Sequence, residues 1–315
     1  MIVRWGLPEL AAVLAELRIM RPLLVASPRW DGTKLGIRES ARWNEVPSER
    51  IPEAAAQAGD GVVALGGGSA IDLGKAISAQ ADLPLVSVPT TYAGAEWTPY
   101  YGIRDPDRKL KGGGAGAHLR GAVYEPELTL SLPREDTVGT AMNALAHCAE
   151  AMYAEGHNAA GDAHAVQGAS LIGEWLPQVV ERPRDLTART KLMEGAMHAG
   201  AALGASMLAL GHAMAQALGG RYGLPHGAMN ALTLPEALRF NEEVAPGAVR
   251  RFREEVGVDV KALARLGGFE RLRDFGVPEE DLPAVAAATV ERAGAMANPR
   301  PATAAEVEQL LHNIY

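Results

Sequence analysis

The chain has 315 residues, a formal net charge of −8 at pH 7 and a sequence pI near 5.6. This length suffices for two ordinary domains or for one large α/β domain with additions. The acidic balance and the scattered basic residues argue against a surface that binds nucleic acid or anionic lipid. Cys148 is the only cysteine, so an intrachain disulfide is excluded and a reducing, cytoplasmic location is expected.

The first helical pattern covers residues 8–18 and carries Glu9, Glu16 and Arg18, unlike the uninterrupted apolar region of a secretory signal. Short β-rich runs then alternate with helical ones, and this alternation predicts a mostly parallel sheet with helices packed on it. We expect a mobile loop at Gly112–Gly116. The candidate strands are Pro22–Ser27, Gly61–Leu65, Leu85–Pro89, Tyr100–Arg104 and Ala122–Tyr124.

In the second half of the chain, β-rich runs almost disappear, and Ala, Leu, Met, Glu and Arg dominate at helical spacing. The apolar stretch 195–220 contains two histidines, a glutamine and many small residues, so we predict a buried helix or helix pair rather than a membrane span. The predicted fold is an α/β N-terminal dinucleotide-binding domain with a mostly parallel sheet, residues 1–132, followed by an all-α C-terminal domain, residues 133–315. A ligand is expected in the cleft between the two domains.

A strand, a glycine turn and the start of a helix follow one another in Val62–Lys75. Glycines let the backbone approach a phosphate, and the N–H groups and dipole at a helix start favour an anion there. Ser69 is predicted as the N-cap, with Asp72 completing a capping box. The alternative without a ligand is a well-capped helix after a tight turn. Thr90 and Thr91 end the next strand, where their hydroxyls would reach the same ligand. The pattern is not GxGxxG, so an ordinary Rossmann domain is not implied.

The choice between NAD(H) and NADP(H) is expected to depend on the residues after the strand at 22–27. An acidic side chain there would accept hydrogen bonds from the ribose 2′-hydroxyl and repel a 2′-phosphate. Ser27 does neither. Arg29 could pair with a 2′-phosphate, although a solvated surface arginine is the alternative interpretation. NADP(H) should therefore at least be tolerated.

Asn143 and His147 lie in a helical stretch, and their i,i+4 spacing puts them on one face. His212, on an apolar helical run, and His226, in the segment 224–227, are candidates to join them. A carboxylate with three imidazoles would make a strong site for a divalent transition metal, but an asparagine in the carboxylate's place removes a full negative charge. For each histidine alone, a hydrogen-bonded core residue is the alternative; the spacing of the three together favours a common site.

Five segments carry a resemblance to a known family: Gly66–Lys75, Pro89–Thr98, Met142–Glu150, Gly211–His212 and Leu224–Gly227. In this order they resemble the iron-containing alcohol dehydrogenase family, and the resemblance extends over nearly the whole chain. Within the family, Thr90–Pro99, Asn143 and Asn298–Pro301 are most similar to the maleylacetate reductase branch.

The resemblance implies a dehydroquinate synthase-like architecture, a homodimer, and hydride transfer from NADH or NADPH in the cleft between the domains. It also implies which residues contact the cofactor: Gly67, Gly68 and Ser69 the pyrophosphate, Asp72 the nicotinamide side, and Thr90, Thr91 and Lys109 other parts. The family's ligands for zinc or iron would fall on Asn143, His147, His212 and His226.

The chain also departs from the family. The segment between Trp30 and Glu53 looks too short for the expected helix and strand, so the cofactor domain is predicted to be trimmed. Gln216 stands where many metal-dependent members have another histidine, and Glu236 where a histidine is common. Asn230 and the segment 225–227 are more similar to the alcohol dehydrogenases, so the substrate pocket could differ from both branches.

Two chemistries follow for the histidines. A Lewis-acid metal held by three imidazoles and an amide oxygen would polarise the substrate. Alternatively, His147, His212 or His226, protonated or hydrogen-bonded, would polarise the carbonyl and donate a proton without a metal. The metal-free chemistry suits an anionic substrate, which imidazolium attracts and a carboxylate ligand would repel. We favour weak or no metal dependence.

The leading hypothesis is a reductase similar to maleylacetate reductases, acting on a small unsaturated oxo acid, anionic or neutral, or on a carbonyl. The first alternative is a metal-dependent alcohol dehydrogenase acting on a small alcohol or aldehyde. A lyase or cyclase of the dehydroquinate-synthase type is more remote, because the motifs show neither its basic phosphate pocket nor its acidic metal ligand. A non-catalytic relative that only binds NADPH is the weakest alternative.

Overall fold

The computed structural model describes residues 1–315, and the chain divides into an N-terminal unit, Met1–Ser131, and a C-terminal unit, Leu132–Tyr315. No helix combines the length and the apolar composition that a membrane-spanning segment needs.

The N-terminal unit contains a six-stranded sheet in the order β1-β8-β5-β4-β2-β3, in which every pair is parallel. β6 and β7 form a separate antiparallel hairpin. The strands are β1 Ile2–Trp5, β2 Leu23–Val25, β3 Ala41–Trp43, β4 Val62–Gly66, β5 Pro84–Pro89, β6 Tyr101–Arg104, β7 Leu110–Gly114 and β8 His118–Tyr124, and the helices are α1 Glu9–Glu16, α2 Ile51–Ala55 and α3 Gly68–Ala81.

Both faces of this sheet are covered. Leu24, Val63 and Val86 point to one face, in a cluster with Leu10 and Val13 of α1. On the opposite face of the same strands, Leu23, Val62 and Leu85 form a second cluster with helix residues. These are Ile71 and Ile77 of α3 and Ile51 of α2. A parallel sheet that is buried on both sides needs the continuous apolar runs that β4 and β5 have, and these runs made the sheet predictable.

Each of the five predicted strands is present, but three short strands, β1, β3 and β7, were not predicted. The prediction of a loop at Gly112–Gly116 is wrong for its first three residues, because these lie in β7 and pair with β6. Between Trp30 and Glu53 the chain keeps a strand, β3, and no helix precedes it. The N-cap prediction is also wrong: α3 begins at Gly68 with Gly67 as its N-cap, so Ser69 lies inside the first turn.

The C-terminal unit is all helical. Its helices are α4 Arg134–Ala151, α5 Ala159–Glu181, α6 Leu186–Gly204, α7 Leu210–Tyr222, α8 His226–Asn241, α9 Pro246–Val256, α10 Val260–Arg265, α11 Leu282–Val290, α12 Ala293–Met296 and α13 Ala304–His312. The apolar stretch 195–220 is divided between α6 and α7, as a helix pair.

α4 is the central helix of this unit, because it packs against α5, α6 and α8. Its last two-thirds are buried on all sides, including the polar side chains of Asn143, His147 and Glu150. Buried polar groups are costly unless they are hydrogen-bonded. The partners of these three side chains therefore define the polar centre of the unit.

Candidate functional site

The glycine turn of the N-terminal unit lies between the end of β4 and the start of α3. Gly66 has a φ of +150°, and a Cβ there would lie 2.7 Å from the Cβ of Ala70, so only glycine fits. A Cβ on Gly68 would meet nothing within 4 Å, which leaves open space in front of the helix N-terminus. The first backbone N–H groups of α3 have no side-chain cap and are available to an anion.

Thr90 and Thr91 lie beside this turn, as the sequence predicted. The backbone N–H of Thr90 donates to the carbonyl oxygen of Gly66 at 3.0 Å. A Cβ on Gly67 would lie 2.9 Å from Cγ2 of Thr91, so Thr91 packs directly against the turn. The structure thus brings together the turn and both threonines, at the carboxyl ends of two adjacent parallel strands, where such sheets bind ligands.

Asp72 has partners that the sequence did not indicate. Its Oδ1 accepts a hydrogen bond from Nζ of the buried Lys75 at 3.1 Å, and its Oδ2 accepts from the backbone N–H of Gly102 at 3.2 Å. Lys75 Nζ also donates to the carbonyl oxygen of Tyr100 at 2.8 Å. Asp72 and Lys75 therefore anchor the base of the β6–β7 hairpin to α3.

Lys109, Ser27 and Arg29 lie on more exposed parts of the unit. Lys109 is in the turn at the far end of the β6–β7 hairpin, where its backbone N–H donates to Oδ1 of Asp105. Ser27 precedes a short 3₁₀ turn that contains Arg29. The guanidinium of Arg29 lies 4.8 Å from the ring centroid of Trp30 and donates to Oγ of Ser131 at 2.9 Å. No hydrogen bond or ion pair joins these residues to the glycine turn.

The second polar centre is a histidine cluster in the C-terminal unit, which we define as Asn143, His147, His212, His226 and Asn230. Three helices supply it: α4, the first turn of α7, and the first two turns of α8. The rings of His147 and His212 are stacked, with centroids 4.8 Å apart and an interplanar angle of 9°. The rings of His212 and His226 have centroids 5.7 Å apart at 46°. The structure thus brings all three predicted histidines together.

Two asparagine amides link the imidazoles of the cluster. Nδ2 of Asn230 donates to Oδ1 of Asn143 at 2.8 Å and lies 3.0 Å from Nε2 of His226. Oδ1 of Asn143 is also 3.3 Å from Nε2 of His212. Asn143 therefore faces His212 across the cluster, and Asn230 holds it there.

The sequence assigned no role to Asn230, which belongs to the cluster, or to Glu150, which contacts it through His212. Glu150 has no exposed surface, and its Oε2 lies 2.7 Å from Nδ1 of His212. Its position at the end of the motif 142–150, one turn after His147 on α4, was the only available signal. Its partner lies 62 residues away along the chain.

His147 has a different environment from His212. Its Nδ1 is buried without a hydrogen-bond partner. Burial, followed by the charges of His212 and His226, lowers the pKa of His147 well below its ordinary value. Protonation of His147 is therefore disfavoured, which makes it poorly suited to act as the acid.

The cluster in this arrangement does not fit a divalent cation shared by the four residues that the resemblance indicated. Oδ1 of Asn143 and Nε2 of His226 are already engaged by Asn230. The parallel rings of His147 and His212 do not converge on one point. No group of three or more His, Cys, Asp or Glu side chains has the geometry of a metal site.

Comparisons of the sequence with family profiles and with known proteins indicate the same family. Residues 7–121 match the profile of the iron-containing alcohol dehydrogenases, and residues 137–315 match the C-terminal profile of the same family. The chain is 38% identical to a maleylacetate reductase from Burkholderia cepacia over 277 residues, which cover 86% of this chain and 78% of the relative. It is 32% identical over 330 residues to a maleylacetate reductase from Pseudomonas sp. strain P51, covering 98% of this chain and 93% of the relative.

The fold is similar to that of solved structures. The crystal structure of a maleylacetate reductase from Agrobacterium tumefaciens superposes with a TM-score of 0.89 at 30% sequence identity. This superposition covers 100% of this chain and 95% of the other.

Proposed function

Because this chain belongs to the iron-containing alcohol dehydrogenase family, we propose that it transfers hydride from NADH or NADPH to maleylacetate or a closely similar unsaturated oxo acid. It is an oxidoreductase of the maleylacetate reductase branch. The observation that carries the proposal is the histidine cluster, in which Asn143 takes the place of a metal-binding carboxylate.

We propose that the nicotinamide cofactor binds the N-terminal unit through its pyrophosphate. The open space in front of Gly68 and the uncapped N–H groups of α3 support this assignment. Thr91, packed against Gly67, is positioned to contribute a hydroxyl. Arg29 is exposed and is not paired with a carboxylate, so it is available to a 2′-phosphate, and we expect NADPH to be accepted as well as NADH.

The chemistry requires a proton donor as well as a hydride donor. When hydride adds to a carbon–carbon double bond conjugated with a ketone, negative charge develops on the ketone oxygen, and a proton must follow. Hydrogen-bond donors aimed at that oxygen lower the barrier. We propose that His212 is this donor, because it is held between Glu150 and Asn143 at the centre of the cluster.

We also propose that the step proceeds without a bound metal. The amide of Asn143 adds no negative charge to the cluster, so an anionic substrate meets no repulsion there. The hydrogen bonds among Asn143, Asn230 and His226 support this proposal because they already use the atoms that would otherwise bind a cation. The alternative is a metal-dependent alcohol dehydrogenase acting on a small aldehyde, in which a cation would displace these hydrogen bonds.

The test is reductase activity of the purified protein on maleylacetate and on simple aldehydes, measured as loss of NADH or NADPH absorbance. Each assay is run before chelation, after chelation, and after zinc or iron is returned. We expect turnover of maleylacetate that survives chelation. Activity that disappears on chelation and returns with the metal would overturn the metal-free step, and reduction of aldehydes alone would favour the alcohol dehydrogenase.

A further inference from the structure

Glu150 is buried completely and has three N–H donors. Oε2 accepts from the backbone N–H of Ala209 at 2.6 Å and lies 2.7 Å from Nδ1 of His212. Oε1 accepts from the backbone N–H of His212 at 3.0 Å. A buried carboxylate is tolerated only when donors of this kind surround it. The start of α7 supplies these donors, so the burial of Glu150 depends on that turn.

The carboxylate caps α7 in place of a side chain from its own sequence. Ala209 is the N-cap residue and has no side chain that could accept a hydrogen bond. The N–H groups of Ala209 and His212 would otherwise lack partners, as helix starts generally do, and a negative group there also interacts favourably with the helix dipole. A Cβ on Gly211 would lie 2.9 Å from Oε1 of Glu150, so the carboxylate can lie against this turn only because residue 211 is glycine.

The same carboxylate therefore fixes the backbone and the ring of His212 together. Because Nδ1 is committed to Glu150, the other ring nitrogen, Nε2, is the one that faces the cluster. A carboxylate on one ring nitrogen of a histidine generally sets the tautomer and orientation of the ring.

We propose that Glu150 is the positioning residue of the reductase reaction: it holds His212 so that the proton given to the substrate leaves from Nε2. Both ring nitrogens of His212 face acceptor oxygens, Nδ1 that of Glu150 and Nε2 that of Asn143, so the ring carries an N–H on each side. In this step the Nε2–H bond breaks, the proton forms a bond to the substrate anion that hydride addition has created, and the Nδ1 proton stays on the ring beside Glu150. Solvent water then restores the Nε2 proton. Glu150 touches neither substrate nor cofactor. The inference rests on the proposed function for the identity of the reaction and for His212 as its proton donor.

The test is the Glu150→Gln variant, because glutamine has nearly the same shape but presents an N–H group to the donors of α7. We expect kcat to fall on the order of 10–100-fold, as for other carboxylates that orient a functional histidine. KM for the cofactor should stay unchanged, because the glycine turn shares no residue with the cluster. ¹⁵N spectra of the histidine rings, with the His212 signal identified by its loss in His212→Asn, should show that Nδ1 no longer carries the fixed proton.

Gly211→Ala is a second variant, for use if Glu150→Gln does not fold. Its added methyl group would push the carboxylate of Glu150 away from the start of α7 without changing the charge of that carboxylate. Like Glu150→Gln, it should lower kcat. Asp185→Asn is the matched control, since Asp185 also caps a helix of the same unit, accepting from the backbone N–H of Ala188 at the start of α6, but is paired with Arg182. It should leave the His212 signal and kcat near those of the wild type.

An unchanged His212 spectrum and unchanged kcat in Glu150→Gln would overturn the positioning role. The spectrum decides this independently of activity. If the wild type reduced no substrate but its His212 showed the fixed Nδ1 proton, and Glu150→Gln lost it, the proposed function would fail while the positioning role stood.

Discussion

The two candidate sites are built from different parts of the chain. The glycine turn offers backbone N–H groups and empty space, and its glycines contribute no side-chain atoms. The histidine cluster consists of five buried or partly buried side chains from three helices, joined through hydrogen bonds and ring contacts. A site made of backbone is altered mainly by adding atoms to it, whereas a linked set of side chains is altered by changing any one member.

The largest effect is expected from removing the proposed proton donor. His212→Asn keeps a polar side chain but removes the imidazole, and an amide does not give up its proton, so kcat should fall ~10²–10⁴-fold, the usual contribution of a positioned acid. The Kd for NADPH, measured by fluorescence titration, should not change. This result would show that the cluster acts in chemistry and the glycine turn in binding.

The matched control is His198→Asn, because His198 lies in the same unit but pairs with His164, at 2.8 Å between their Nδ1 atoms, and not with the cluster. It should retain wild-type kcat. A kcat for His212→Asn within about threefold of the wild type would remove His212 from the mechanism, since one threefold change is well under the ~1.4 kcal/mol of a tenfold effect.

Gly68→Ala tests the glycine turn, the site made of backbone. The added Cβ meets no protein atom, and alanine is favoured over glycine in a helix by up to about 1 kcal/mol, so the variant should be at least as stable as the wild type. The methyl group would nevertheless occupy the space proposed for the pyrophosphate. We expect the Kd for NADPH to rise ~10-fold or more, which corresponds to about 1.4 kcal/mol.

Gly247→Ala separates these two effects. Gly247 also lies in the first turn of a helix with open space around it, but in α9 of the C-terminal unit. It should show the gain in stability with no change in NADPH affinity. Unaltered affinity in Gly68→Ala as well would mean that the phosphate binds elsewhere.

The different construction of the two sites explains how far each could be predicted. The parallel sheet and the glycine turn follow from local sequence, because apolar runs such as Val62–Leu65 and the adjacent glycines determine their own conformation. The short strands β1 and β3 were missed because three or four residues carry too little pattern, and they form only by pairing with distant strands. The error at Ser69 came from a tight turn in which Gly67 itself serves as the N-cap.

The cluster depends on contacts between distant helices. The i,i+4 spacing placed Asn143 and His147 on one face, but it could not place α7 and α8 beside that face; the resemblance to a family did so. The hydrogen bonds of Glu150 with His212 and of Asn230 with Asn143 span 62 and 87 residues along the chain. A pattern within one short segment cannot predict contacts between residues so far apart. The catalytic roles of these residues remain predictions.

Asn143→Asp would sharpen the comparison by changing one side chain of the cluster. The new carboxylate should still accept from Nδ2 of Asn230, and it adds one negative charge beside His212. A carboxylate with imidazoles is a much better set of zinc ligands than an amide with imidazoles. We expect zinc affinity, measured by calorimetry, to rise ~10-fold or more, with a smaller loss of maleylacetate turnover.

Asn158→Asp is the matched control for this charge. Asn158 caps α5, outside the cluster, and aspartate and asparagine are equally good N-caps. It should leave zinc affinity unchanged. Equal zinc affinities for Asn143→Asp and the wild type would mean that the three imidazoles cannot converge on one ion even when a carboxylate is supplied.

The smallest effect concerns a buried carboxylate of the N-terminal unit, Glu96, which contrasts with Glu150. Only the hydroxyl of Tyr124 donates to its Oε1, at 2.7 Å, and its Oε2 has no partner. Burial raises the pKa of Glu96 and outweighs the opposing effects of the Tyr124 hydroxyl, of its own backbone and of the Lys75 charge. Because this pKa is higher in the folded than in the unfolded chain, the stabilisation is complete below the unfolded value of 4.5 and is lost as pH rises through the folded value.

Glu96→Gln cannot titrate, so its free energy of unfolding relative to the wild type should rise with pH above 4.5, by at most about 1.4 kcal/mol per pH unit. Urea unfolding followed by tryptophan fluorescence measures this, since Trp5, Trp30, Trp43 and Trp97 all report on the N-terminal unit. Glu9→Gln, at an exposed position of the same unit, controls for the loss of one charge. If the difference between Glu96→Gln and the wild type stayed constant across this range, Glu96 would have to be ionised in the folded protein. A carboxylate with one donor would then tolerate burial as well as Glu150 does with three.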